Sequence, residues 1–167
     1  LTAGGNCRGV RAVDWQMLRL NPTQVANGDY SGILSGMANS TWGDYSAVVT
    51  GKKNTTFGTF SFIGGGYGNT AGGSGTGAFV GSGYSNHSRG NWSGIVVGIS
   101  NYVGSTGSLI GGGSFNTITG PSSYMSSIVS GRGNLINDGS GASYYSFIGS
   151  GLYNKIRAAN CVIGGGE

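Results

Sequence analysis

The chain has 167 residues, of which 37 are glycine and only 8% are charged. Glycine at this level costs backbone entropy and is typical of chains in which many residues need a positive φ or in which backbones approach closely. The chain has only two prolines and no three-residue period, which excludes collagen. Its nine basic residues are scattered and stand against five acidic ones, which predicts no nucleic-acid partner. It lacks an apolar run of ~20 residues, which predicts no membrane insertion of this segment.

The segment 1–29 differs from the rest of the chain. Apolar residues are interspersed with charged ones up to Pro22, which predicts a short strand or helical turn and then an extended connector. A stack of repeats needs a terminal element that covers the apolar face and the unpaired strand edge of its first unit. We therefore expect residues 1–29 to form an N-terminal cap or neck, and residues 30–167 to form a repeat array that belongs to a longer chain.

A single pattern recurs from residue 30 to the end. An isoleucine or valine stands three places before a glycine and an asparagine stands three places after it, as in Ile63, Gly66 and Asn69. The interval between successive glycines of this kind is the same in most repeats, as from Gly36 to Gly51, and is slightly longer in the others. These glycines are Gly36, Gly51, Gly66, Gly83, Gly98, Gly113, Gly131, Gly151 and Gly166. Such spacing predicts stacked repeats, each of which buries its apolar row against its neighbours.

Each repeat contains a short strand, a turn at Gly-x-x-Asn, a second short strand and a second turn, which together complete one coil. Side chains alternate along a strand, so Ser46 and Val48 face the same way. The isoleucine and valine row must face the interior, where the residues two places after each asparagine join it. The sequence therefore predicts an all-β fold, a β-solenoid of about nine 15-residue coils, which is about 40 Å long at ~4.8 Å per coil.

The opposite face of each first strand is also apolar, because large side chains form two rows there. One row contains Phe62, Phe79, Leu109, Phe147 and Val162, and the row beside it contains Tyr30, Tyr45, Phe60, Trp92, Met125 and Tyr145. A stripe of this size exceeds the few hundred Å² of contiguous apolar surface that soluble monomers expose. We expect an interface between chains or a ligand-binding surface, and three parallel chains around one axis would supply the burial that one thin coil lacks.

Three repeats carry insertions, and all three insertions fall after the second strand. They are Gly72 to Gly77, Gly120 to Tyr124 and Asn137 to Tyr144. Insertions at one corner of a solenoid project from one side, which is often the binding side. The two later insertions combine small hydrogen-bonding residues with an aromatic ring, which suits recognition, although passive loops are the alternative. The candidate receptor-facing residues are Ser122, Ser123, Tyr124, Asn137, Asp138, Ser143 and Tyr144.

The asparagine row and the single histidine have structural interpretations. We expect the asparagines to adopt the left-handed conformation at a repeated turn and to form a ladder of side-chain hydrogen bonds. His87 is expected on a solvated turn, with no acid near it in the sequence. Thr41 and Thr56 suggest an ice-binding threonine row, but alanine, serine, valine and isoleucine continue that row.

Catalytic and metal-binding residues are not indicated. The aspartates are dispersed over separate coils, which leaves a glycosidase pair open only across chains. They are Asp14, Asp29, Asp44 and Asp138. Calcium-binding β-rolls carry an aspartate after their glycines, whereas tyrosine or serine stands in that place here. We therefore predict that the chain is not an enzyme and that it holds no cofactor and no metal.

The repeats resemble two related groups of proteins. The stretch from Ser61 to Gly73, Ser-Phe-Ile-Gly-Gly-Gly-Tyr-Gly-Asn-Thr-Ala-Gly-Gly, resembles the head repeat of trimeric autotransporter adhesins. It is also similar to the Ser-x-Val-x-Gly-Gly-x-x-Asn-Thr-Ala-Ser-Gly arrays of phage and other viral fibre proteins. The lead-in from Gly5 to Gln16, followed by Thr23-Gln-Val-Ala-Asn-Gly, is similar to one that precedes such fibre arrays, which favours the second group. The repeat here is slightly longer than the adhesin repeat.

The resemblance implies a left-handed β-roll, a parallel homotrimer and a structural and adhesive role in an extracellular or virion fibre. A host-surface glycan or receptor is the implied partner, and no catalytic residue is implied. The head of a bacterial surface adhesin is the main alternative. A polysaccharide-degrading spike, an ice-binding solenoid and an inert spacer are further alternatives.

Shortening the two later insertions to the spacing of the other repeats tests their role. We expect the free energy of unfolding to stay within roughly 1 kcal/mol, because loop-closure entropy depends only weakly on length, while attachment to host cells weakens. Chemical denaturation and a cell-binding assay measure the two effects. Unfolding of the shortened protein would place the loops in the core, and undiminished attachment would contradict a recognition role.

Overall fold

A computed structural model describes residues 7–73, 75–120, 124–137 and 144–167 of the chain. Over these residues the chain forms short β-strands joined by turns, with no helix. Equivalent residues of successive coils pair in parallel, as Ala47 does with Phe62 and Val48 with Ile63. The predicted all-β solenoid of about nine coils is confirmed.

The strands of the described residues form two parallel sheets. The first sheet contains β1 Val13–Asp14, β2 Gly32–Ile33, β4 Ala47–Val48, β6 Phe62–Ile63, β8 Phe79–Val80, β10 Gly94–Ile95, β12 Leu109–Ile110, β14 Ser127–Ile128, β16 Phe147–Ile148 and β18 Val162–Ile163. The second sheet contains β3 Ser40–Thr41, β5 Thr55–Thr56, β7 Thr70–Ala71, β9 His87–Ser88, β11 Tyr102–Val103, β13 Thr117–Thr119, β15 Leu135–Asn137 and β17 Lys155–Ile156. The repeat therefore alternates between the two sheets, as the sequence pattern predicts.

A third ladder, which the two-strand pattern does not include, closes the coil between the sheets. Single-residue parallel bridges link the residues that follow the turn glycines, as between Lys52 and Tyr67. The backbone is left-handed on both sides of the bridge residue, with φ of +91° at Gly66 and +65° at Gly68. A Cβ on Gly66 would collide with the carbonyl oxygen of Gly83 in the next coil. This turn therefore requires glycine for its φ and for the close approach of neighbouring coils.

The bridge residue and the residue after it form a narrow surface along the array, and all of them except the buried Ala38 are at least partly exposed. We call this surface the bridge edge. It comprises residues 37–38, 52–53, 67–68, 84–85, 99–100, 114–115, 132–133 and 152–153.

The coil interior contains the predicted apolar row. From Ile33 to Ile148, the isoleucine and valine side chains of this row are fully buried. The second interior row, also buried, begins with small and polar side chains and ends with large apolar ones: Thr41, Thr56, Ala71, Ser88, Val103, Ile118, Ile136 and Ile156. Its hydroxyl groups find partners across the coil, as Thr56 does with Ser46 at 2.8 Å. Because Thr41 and Thr56 are inside, this row cannot present threonines to ice.

The asparagine row forms the predicted hydrogen-bond ladder, and the ladder is buried. The backbone N–H of Asn101 donates to Oδ1 of Asn86 at 3.1 Å, and its own Oδ1 accepts the N–H of Asn116 at 3.0 Å. Its Nδ2 donates to the carbonyl of Gly113 at 2.9 Å. The expected left-handed conformation is wrong for the asparagines themselves. It belongs to the preceding residue, such as Ser100 with φ of +53°, and this turn lets the asparagine side chain point inward.

Residues 13–26 stack on the first regular coil, where Ala26 continues the second interior row above Thr41 and polar groups end the other two rows. Asp14 pairs in register with Ile33, is 6% exposed, and forms an ion pair with Arg19 at 2.7 Å. Gln16 takes the place of an asparagine, since its Oε1 accepts the N–H of Asn39 at 2.8 Å. The first rung of the ladder is therefore a glutamine. The assignment of residues 1–29 to a separate cap remains a prediction.

Replacing Asn101 with alanine tests the ladder. The change leaves the buried N–H of Asn116 without a partner and removes a hydrogen bond to the carbonyl of Gly113. We expect the free energy of unfolding to fall by roughly 2–4 kcal/mol, measured by urea denaturation. Ser114→Ala is the matched control on the bridge edge, and it should change that free energy by less than about 0.5 kcal/mol. Similar losses in both variants would contradict a structural role of the ladder.

Candidate interaction surface

The first sheet presents a broad apolar surface to the outside. We define the aromatic face by two rows. The first row contains Tyr30, Tyr45, Phe60, Trp92, Met125 and Tyr145, and the second contains Phe62, Phe79, Leu109, Phe147 and Val162. In the single chain these residues are between 36% and 73% exposed. The two predicted apolar rows are therefore aligned along one face of the coil.

Rings in neighbouring coils of the aromatic face stack on one another. The ring centres of Tyr45 lie 5.0 Å from Tyr30 and 5.2 Å from Phe60, and those of Phe62 and Phe79 lie 5.8 Å apart. These distances follow the ~4.8 Å spacing of the strands. Because ring faces are taken up by neighbouring rings, the stacks direct ring edges outward. Edges suit packing against other side chains better than they suit flat stacking of a sugar.

The first row of the aromatic face has an uncommon backbone conformation. All five of its aromatic residues have φ between +51° and +57°. Glycine occupies the same row at Gly77 and Gly107, again with positive φ. For residues other than glycine this conformation costs roughly 1–2 kcal/mol each, and the five rings remain 45–66% exposed in the single chain. The same conformation recurs on the bridge edge, as at Phe115 and Tyr153, so the left-handed φ is a property of the solenoid turns, and what distinguishes the aromatic face is its row of exposed rings.

The aromatic face carries no charge of its own, and a cation meets it at its N-terminal end, where the guanidinium carbon of Arg11 lies 5.6 Å from the centre of the Tyr30 ring. The segments that form it, such as Tyr45 to Thr50, contain no Asp, Glu, Lys or Arg in any of the nine coils. The cations of the array lie elsewhere, at Lys52, Lys53, Arg89, Arg132, Lys155 and Arg157. Depletion of charge together with enrichment in aromatic residues is the composition of the buried centre of a protein–protein interface.

Three of the seven candidate receptor-facing residues are described. Tyr124 and Tyr144 lie in adjacent coils on the turn beside the aromatic face: the N–H of Tyr145 donates to the carbonyl of Tyr124 at 3.1 Å, and the rings of Tyr144 and Tyr145 meet edge to face at 5.4 Å. Asn137 lies apart from them, at the end of β15, where it pairs with Thr119. The other four, Ser122, Ser123, Asp138 and Ser143, lie outside the described residues. Tyr124 and Tyr144, at the C-terminal ends of the two insertions, therefore extend the aromatic face.

His87 does not lie on a solvated turn, so that prediction is wrong. It lies in β9, half-buried between Thr70 and Tyr102 of the neighbouring strands. Burial lowers the pKa of His87 from its ordinary value, and the positive charge of Arg89 lowers it further. A strand position between polar neighbours of one sheet explains this residue without a catalytic role.

The aspartates on the turns accept hydrogen bonds from backbone N–H groups. Oδ1 of Asp29 accepts the N–H of Val10 at 2.7 Å, and Oδ1 of Asp44 accepts the N–H of Asp29 at 2.8 Å. In the part of the chain that the structure describes, no three His, Cys, Asp or Glu side chains come together as a metal site would need. These carboxylates therefore stabilise the stacking of the turns.

The bridge edge is a second surface, which the sequence pattern does not single out. Tyr67 and Tyr84 stack there with ring centres 5.2 Å apart. Nζ of Lys53 lies 5.7 Å from the centre of the Tyr67 ring, and the guanidinium carbon of Arg132 lies 5.9 Å from the centre of the Phe115 ring. The sequence indicates the bridge edge only by the large side chains that several repeats carry between the turn glycine and the asparagine.

No known family profile matches the chain, and no curated protein sequence matches it. Across the described ranges there is also no helix of the length and apolarity that a bilayer-crossing segment requires. Function is therefore inferred from the two surfaces.

Protonation of His87 should destabilise the fold. Because its pKa in the folded chain is below the ordinary 6.5, the unfolded chain takes up the proton at a higher pH. The contribution to stability is complete above pH 6.5 and is lost as the pH falls towards the lowered pKa. Thermal unfolding should show a lower Tm at pH 5.5 than at pH 7.5. The variant His87→Thr, which matches Thr70 in the same row, should show a smaller change in Tm between the two pH values. An identical change in the variant would exclude His87 as its source.

Proposed function

We propose that this chain is a structural and adhesive segment of an extracellular fibre, which assembles as a parallel homotrimer and serves in attachment to a host surface. The aromatic face is the observation that carries the proposal. It is uncharged, it extends over the array, and its first row consists of rings that a single chain leaves exposed.

A second copy of the same chain fits this face better than an unrelated partner does. Two parallel copies share the same ~4.8 Å repeat, so the ring edges of one copy can pack between those of the other along the whole array. Burial of the face contributes roughly 25 cal/mol per Å² of apolar surface, which offsets the cost of the left-handed rings. Three copies, rather than two, is the state that the resemblance to fibre repeats implies.

The rest of the fold suits a fibre. Backbone pairing runs parallel to the long axis in two sheets and along the bridge edge, and the asparagine ladder links each coil to the next. Such a rod transmits force along its axis and holds projecting loops at fixed distances. The resemblance of the lead-in favours a virion fibre over the head of a bacterial adhesin.

Charges placed on the aromatic face should separate the subunits. In Phe62→Glu with Phe79→Glu, assembly would bury unpaired carboxylates, which costs several kcal/mol. Sedimentation equilibrium should give the mass of three chains for the parent protein and of one chain for this variant. Tyr67→Glu with Tyr84→Glu makes the same change in the stacked pair of the bridge edge, and it should remain trimeric.

The outcomes separate the possible interfaces. A parent protein with the mass of one chain would contradict the homotrimer. Dissociation of the bridge-edge variant, with the aromatic-face variant intact, would place the interface on the other surface.

A further inference from the structure

We propose that the bridge edge binds an acidic polysaccharide along the length of the array. This inference rests on the proposed adhesive role and names the class of its partner. Its basis is the placement of cations and exposed rings on a surface that contains no carboxylate.

The eight residue pairs of the bridge edge contain cations and no anions, and the first carboxylate in their register is Glu167, which follows Gly166. The cations are Lys52, Lys53 and Arg132. Among the described residues the ion pair of Arg19 with Asp14 is the only one, so the three cations have no carboxylate partner there. Unpaired charges of one sign on a narrow surface attract a ligand of the opposite sign.

Two of these cations lie next to aromatic rings. Lys53 is 5.7 Å from the centre of the Tyr67 ring, and Arg132 is 5.9 Å from that of Phe115. Tyr84 is 52% and Phe115 is 55% exposed. Tyr67 and Tyr84 stack on each other and turn ring edges outward, so the sugar contact falls to Phe115. The apolar ring surface of an acidic sugar can lie against Phe115, and its carboxylate or sulfate group can pair with the neighbouring Arg132.

The bridge edge is also separate from the proposed subunit interface. None of its residues belongs to the aromatic face, because the turn glycines lie between the first-sheet strands and the bridge residues. Assembly through the aromatic face therefore does not use these side chains, and each subunit contributes its own basic edge to the fibre.

The spacing of the cations favours a polysaccharide over a nucleic acid. Lys52 and Lys53 share one coil, and five bridge steps separate Lys52 from Arg132, which is about 24 Å at ~4.8 Å per coil. A nucleic acid strand carries a phosphate every ~3.4 Å and needs a dense set of cations. Three cations over this distance match a polyuronate, which carries one carboxylate per sugar, better than a densely charged polymer, and an aromatic contact supplies part of the affinity.

Labelled polysaccharides test the inference with the full chain. Heparin serves as a sulfated polymer, polygalacturonate as a polyuronate and dextran as a neutral reference. We expect binding to the two acidic polymers, weakened by salt, and no binding to dextran. The triple variant Lys52→Gln, Lys53→Gln and Arg132→Gln should bind about tenfold more weakly, with a shallower dependence of affinity on salt.

A second triple variant is the matched control. Arg89→Gln, Lys155→Gln and Arg157→Gln remove the same net charge from positions in and just after strands of the second sheet, and this variant should keep most of the affinity. Equal losses in both variants would mean that net charge alone attracts the polymer, and would overturn the inference. Competition by duplex DNA as strong as that by polygalacturonate would also overturn it.

Sedimentation separates this inference from the proposed function. A trimeric parent protein that binds neither acidic polymer would disprove the acidic partner and leave the fibre role standing. A parent protein with the mass of one chain would contradict the trimer, whichever polymer it binds.

Discussion

Parallel, in-register stacking of coils is the constraint on which the other features depend. Each residue lies one strand spacing from its equivalent in the next coil, as Phe62 does from Phe79. Because the sequence repeats, the same kind of side chain therefore recurs at that spacing along the array. A buried amide that would be costly alone, such as that of Asn101, is satisfied because the coils on both sides carry the same group. The same repetition aligns rings and charges into continuous surfaces.

The conformational requirements of the corners explain the composition. At Gly66 both a positive φ and contact with the backbone of Gly83 exclude any side chain. In the first row of the aromatic face the only constraint is the positive φ. Side chains such as the ring of Phe60 are therefore possible there, at a cost in conformational free energy. Side chains on the bridge edge, such as Phe115, take the same left-handed φ. The exposed rings, and not the φ, therefore distinguish the aromatic face.

The two surfaces have different chemistry because they occupy different corners of the same coil. The aromatic face is flat, uncharged and as long as the array, which suits a partner with an identical repeat. The bridge edge is narrow, basic and interrupted, with Lys53 and Arg132 beside rings, which suits a flexible anionic polymer. In the proposed fibre, the aromatic face would serve assembly and the bridge edge would serve binding.

The sequence by itself determined the solenoid, its period and the inward and outward rows. The reason is that alternation along a strand is a local property: neighbouring residues such as Phe62 and Ile63 face opposite sides in every coil. It could not place His87 in a strand, since a turn and a strand end look alike over so short a stretch. It also could not identify Gln16 as the first rung of the asparagine ladder, because its partner Asn39 lies far from it along the chain. The bridge edge and the inward turn of the asparagines were decided only by tertiary structure, because they depend on how the corner between two sheets closes and not on the period of either strand.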